Sequence, residues 1–144
     1  MVICVIAMNA TQVRREWSSI CDKVAREKPV LIKRTRDNMI LAEVSLLDEF
    51  LSLYEFNAKI ITEDDGSITI TLDEIDLVEN GINEKEAVHK LALAILEYAE
   101  DYYADFLYWS RGNRKSHKPY VFKALILGNA VKIGGVIKCR HGEI

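Results

Sequence analysis

The chain has 144 residues, room for one domain or two small ones, and 49% of them are hydrophobic, which excludes a disordered chain and allows a packed core. The formal net charge of −3 does not by itself point to nucleic acid. The three cysteines, Cys4, Cys21 and Cys139, are odd in number and lack paired spacing, which excludes a secreted disulfide framework.

The first stretch, Val2 to Ala7, is apolar, has no basic leader and is too short for a signal peptide, so it reads as a strand. Asn9 then caps a helix, with Gln12 three residues on as a capping-box partner. Val13, Trp17, Ile20, Cys21 and Val24 recur at three- and four-residue steps and form its apolar stripe, with Arg14, Arg15 and Ser18 off it. Lys28-Pro29 ends the helix, because proline moves its predecessor out of the helical region. Val30-Leu31-Ile32 and Met39-Ile40-Leu41-Ala42 read as two strands around a turn from Arg34 to Asn38. Ser45 caps a second helix, Leu46 to about Tyr54, whose first turn is acidic through Asp48 and Glu49.

At these residues a family resemblance enters. The helix opening N-A-T-Q-V-R, the basic hairpin K-P-V-L-I-K-R, the strand I-L-A-E-V-S and the run L-L-D-E-F resemble the N-terminal domain of Phd/YefM antitoxins, over about Val2 to Phe56. The resemblance implies a homodimer, or a higher homo-oligomer, that binds operator DNA, represses its own operon and neutralises a co-encoded toxin, a RelE-type ribonuclease by association. It places DNA contacts at Arg14 and Arg34. Arg15, Lys33 and Arg36 would add contacts to the phosphate backbone, which supply affinity rather than sequence reading. The turn departs from the family, which often has glycine where this chain has Arg36-Asp37-Asn38. Solvated surface charge is the alternative for all five cations.

After Phe56 the pattern changes, which divides the chain into a DNA-binding and dimerising domain at 1–56 and a second α+β domain at 57–144. Lys59 to Glu63 and Ser67 to Leu72 flank Asp64-Asp65-Gly66, a strong hairpin signal. Leu77-Val78-Glu79 adds a short third strand. Asn83 caps a long helix to about Trp109, with Glu86 as box partner. Strand hairpin, third strand and helix together loosely resemble the HicB-type antitoxin module. The expected fold is therefore α+β: a Phd/YefM-like domain, then a small antiparallel sheet with a long helix. The toxin-binding part of Phd/YefM proteins is often disordered until bound, and here it carries too much periodic apolar sequence for that.

Val88, Leu91, Ala92, Ile95, Ala99, Tyr102, Phe106 and Trp109 make one apolar face of the long helix; Leu93, Leu96, Tyr103 and Leu107 make much of another. A helix apolar on two sides is usually buried on two sides. Glu97, Asp101 and Asp105 form a ladder of like charges, which needs either the cations Arg111 and Arg114 folded back on it or a basic partner such as a nuclease toxin. Ser110 to Lys118 is a basic loop. Pro119 opens a last helix that Gly128 stops, and Val131 to Lys138, interrupted by Gly134-Gly135, is a strand or a loose tail.

Charge is placed unevenly along this order. Met1 to Leu41 has eight Lys/Arg against four Asp/Glu, a net of +4. Ala58 to Trp109 has three against thirteen, a net of −10, and Ser110 to Ile144 has eight against one, a net of +7.

There is no phosphate loop and no nucleophile elbow, and His89, His117 and His141 are scattered, so no catalytic residues, cofactor or metal are assigned and the protein is read as no enzyme. Cys139-Arg140-His141 falls short of a zinc pattern. Charges interrupt the apolar run from Leu91 to Trp109, so it is no membrane span, and a cytoplasmic location is expected. The alternative function is a protein-interaction or structural domain that kept the fold without DNA binding.

Overall fold

Asn9 starts the first helix, its Oδ1 accepting from the Thr11 N–H at 2.8 Å. The helix is not continuous to Lys28. It is α1, Ala10–Arg15, and α2, Trp17–Arg26, separated at Glu16, whose φ of −107° and ψ of 29° leave the helical region. In the computed structural model residues 6–142 are described, and they divide into two units at Phe50–Leu51. Most of the strand expected at Val2 to Ala7 lies outside the described residues, as does Cys4; Ile6 and Ala7 are not in a strand. The first strand is β1, Met8–Asn9, parallel to β2, Val30–Arg34.

The hairpin closes more tightly than expected. β2 pairs antiparallel with β3, Asp37–Leu41, with Arg34 opposite Asp37, so only Thr35 and Arg36 turn. Thr35 takes a left-handed φ of 51°, an uncommon conformation for a β-branched residue. The sheet order is β1-β2-β3, and Val13, Ile20, Val30 and Ile32 are buried between helices and sheet. Trp17 belongs to the helical stripe yet is 53% exposed. The next helix, α3, is Val44–Leu51, not Leu46 to Tyr54. Ser45 does not cap it. The Glu43 carboxylate does, accepting from the Ser45 N–H and hydroxyl.

In the second unit β4, Asn57–Thr62, and β5, Ile68–Leu72, form the expected hairpin, with Gly66 at a φ of 85°. A short 3-10 turn, Asp73–Ile75, leads to β6, Leu77–Gly81, antiparallel to β5. The capping box of the long helix forms as the residues imply: Asn83 accepts from Glu86 N–H, and Glu86 reaches back to the Ile82 N–H, each at 2.8 Å. This helix, α4, is Glu84–Ala104. It stops short of Trp109, because Asp105 breaks the geometry before a separate turn α5, Phe106–Trp109.

The basic loop is a 3-10 turn, Gly112–His117, followed by α6, Lys118–Leu127, with Gly128 left-handed at its end. Beyond it the expected strand or tail is first a helix. Asn129 caps α7, Ala130–Val136, and Ile133 inserts into the core, so packing overrides the weak propensity of Gly134-Gly135. The chain then returns as β7, Lys138–His141, parallel to β4, giving the order β6-β5-β4-β7. The small sheet thus has three antiparallel strands and one parallel strand.

Alternation along β4 and β5 turns Ala58, Ile60, Ile70 and Leu72 inward against Leu91, Ala92, Ile95 and Ala99 of α4. Val121 and Ala124 of α6 and Ile133 of α7 close the other side, so α4 is buried from two sides within its own unit.

Candidate functional site

Arg14 and Arg15 end α1; Lys33 and Arg34 end β2; Arg36 lies in the turn. All five side chains are exposed, and among the described residues none is in an ion pair. Strand alternation separates them. Arg34 shares the helix-bearing side of β2 with the buried Val30 and Ile32, whereas Lys33 points to the other side. On the same side, Arg14 lines a shallow groove of about 530 Å³ with Ala10, Val13, Trp17, Ile32 and Met39. The structure therefore groups Arg14 and Arg34 on one side of the hairpin and sets Lys33 apart. Sequence periodicity counted Trp17 as core and so missed this groove; Met39, paired with Ile32 on the hairpin, is 44% exposed.

In the second unit Glu97, Asp101 and Asp105 are exposed, and among the described residues none has a cation within ion-pair distance. Arg114 does not fold back on them. Its guanidinium lies 5.1 Å from the Trp109 ring and 5.7 Å from the Tyr98 ring, and Nη1 donates to the Tyr98 oxygen at 3.2 Å.

That contact belongs to a cluster the sequence did not reveal. His117 is 4% exposed, its Nδ1 is 2.5 Å from the Tyr98 oxygen, and its Nε2 is 3.8 Å from Asp76. Arg114 can only donate, so the Tyr98 oxygen accepts there and gives its own proton to His117 Nδ1. The remaining ring proton then sits on Nε2, facing Asp76. Tyr102 donates to the Arg114 carbonyl at 2.8 Å, which ties the 3-10 turn to α4. Burial pushes the His117 pKa below its ordinary 6.5; Asp76 opposes that shift and Arg114 adds to it. The unfolded chain therefore binds a proton that the folded chain resists, and this contribution to stability is lost as pH falls below about 6.5. Thermal melts from pH 7.5 to 5 should show a decline that is shallower in His117→Gln than in the parent.

The four aromatics Tyr98, Tyr102, Phe106 and Trp109, at three- and four-residue steps, were the available sequence signal for this cluster. His117 gave none, because it approaches them from another element. Among the described residues no three His, Cys, Asp or Glu side chains stand where they could hold a metal. No helix of the described residues is long and apolar enough to cross a membrane.

A PHD-like family model, described as an antitoxin of RelE/RelB toxin–antitoxin systems, matches residues 5–139. The chain is also similar to a crystal structure from Syntrophomonas wolfei subsp. wolfei, described as the antitoxin part of a proposed toxin/antitoxin system. The identity is 36%, the TM-score 0.88, and the match covers 94% of this chain and 99% of that one. No curated protein matches. The family implies a partner toxin, of RelE type by its description. With the family model spanning both units and the α+β architecture shared with a relative at that identity, the chain belongs to the antitoxins of RelE/RelB toxin–antitoxin systems.

Proposed function

We propose that this antitoxin is of the Phd/YefM type and represses its own operon, binding operator DNA through the domain up to about Phe56 and its co-encoded toxin through the rest. The observation that carries the DNA reading is the grouping of Arg14 and Arg34, exposed and without ion-pair partners, on one side of the helix-bearing hairpin. In a two-fold dimer each residue appears twice, offering four guanidinium forks to one face of a duplex. Arg15, Lys33 and Arg36 would hold phosphates.

The size of the first core supports dimerisation. A unit of this length is marginal alone, and its buried apolar cluster holds only Val13, Ile20, Val30 and Ile32. Trp17, Met39, Val44, Leu47 and Phe50 are exposed, and a second copy would cover part of them. Sedimentation at micromolar concentration should give a dimer; a clean monomer would count heavily against repression.

The element order β4, β5, β6, α4 supports a HicB-like reading of the second half, by arrangement alone. Glu97, Asp101 and Asp105 are its proposed toxin contacts, and the proposed site of action is the cytoplasm. A reporter driven by the DNA upstream of the gene tests repression. The parent chain should lower its output, and Arg14→Ala with Arg34→Ala should restore it. Undiminished output with the parent present would favour an interaction domain that kept the fold without DNA binding.

A further inference from the structure

The outward side of the α4–α5 segment combines unneutralised charge with exposed apolar groups. Leu93, Glu97 and Asp101 lie on the side of α4 opposite the buried Leu91, Ile95 and Tyr102. Just past the break at Asp105, Leu107 and Tyr108 are 65% and 69% exposed. Carboxylates four residues apart on a helix repel by a few tenths of a kcal/mol per pair. The fold leaves that repulsion standing, because Arg114 is held by Tyr98 and Trp109 instead. The whole segment from Ala58 to Trp109 has three cations against thirteen carboxylates, a net of −10, so the local field is strongly negative.

Family membership implies the partner, a toxin of RelE type. A toxin that cleaves RNA must itself present cations to a polyanion. We infer that the α4–α5 face docks on that cationic RNA-binding surface, its carboxylates standing where RNA phosphates would lie and Leu107 and Tyr108 supplying a dry contact. Neutralisation is then competition for the substrate's place. This rests on the reading of the second unit as the toxin-binding part and of the toxin as a ribonuclease.

The test uses the full chain and the toxin encoded beside it, with binding measured alone and against a non-cleavable 2′-O-methyl RNA oligonucleotide. The RNA should displace the parent chain. Glu97→Gln, Asp101→Asn and Asp105→Asn together should weaken binding by about tenfold or more, on the scale of paired charges at interfaces, with unchanged circular dichroism. Leu107→Ser with Tyr108→Ser, on the same face but outside the ladder, should weaken it too. Two outcomes overturn the docking proposal while leaving toxin binding intact: variants that bind like the parent, and RNA held together with the parent chain on one toxin. Failure of the parent to bind the toxin at all would overturn the underlying reading as well. Conversion of an oligomer to a monomer by the triple variant, with toxin affinity unchanged, would assign the face to a second copy and overturn the proposal.

Discussion

Gly81→Ala is expected to destabilise the second unit by about 3 kcal/mol, at the upper end of ordinary overpacking. A Cβ at this position would stand 2.5 Å from the Ala87 backbone nitrogen and 2.9 Å from its Cα. The obstacle is helix backbone, not the tip of a side chain, so either β6 or the first turn of α4 must move. Both are pinned. Gly81 is paired with Ile68 across the sheet, and the Asn83–Glu86 box holds the helix start. A Tm lowered by roughly 4–8 °C per kcal/mol would report the change in a unit of this size. Gly134→Ala should act in the opposite direction. Its nearest neighbours are the Ala92 Cβ at 3.8 Å and Val88 Cγ1 at 3.9 Å, ordinary contacts. Inside α7 the exchange should therefore gain roughly 0.5–1 kcal/mol. Equal melting temperatures for Gly81→Ala and the parent would show that the strand–helix contact is looser than described.

The second large effect is expected on DNA. A base-reading arginine should cost roughly 1–3 kcal/mol on its operator when removed and much less on random DNA. Arg14→Ala and Arg34→Ala together should therefore abolish operator preference while circular dichroism stays unchanged, because both side chains are exposed and neither is in an ion pair among the described residues. Lys33, on the other side of β2 and assigned to phosphate, should behave differently. Its loss should weaken all duplexes alike and reduce the slope of log affinity against log salt by about one. Equal operator affinity for the double variant and the parent would remove both arginines from the reading surface.

Local chemistry in the chain was sufficient wherever one residue type decides a conformation. Asn9 and Asn83 marked helix starts, Gly66 and Gly128 supplied left-handed turns, and β-branched alternation marked β5. What escaped depends on contacts distant in sequence. β7 exists because it pairs with β4 across some eighty residues, and its Gly-Gly approach carried no helical signal. Ser45 is as good a cap as any residue, and only the nearby Glu43 carboxylate displaces it. Periodicity put Trp17 on the apolar stripe correctly but could not tell an internal core from a surface left open. The same limit applied to Arg114, which charge counting directed to the acidic ladder and which aromatic stacking holds elsewhere.

The central claim is that this antitoxin reads DNA with its first domain. Fluorescence anisotropy with the duplex upstream of its own gene and with a scrambled duplex, across a range of salt, tests it directly. The account predicts tight, steeply salt-dependent binding to both, with a preference for the upstream duplex that Arg14→Ala with Arg34→Ala removes. Binding to neither duplex at physiological salt, or equal binding to both by parent and variant, would contradict it.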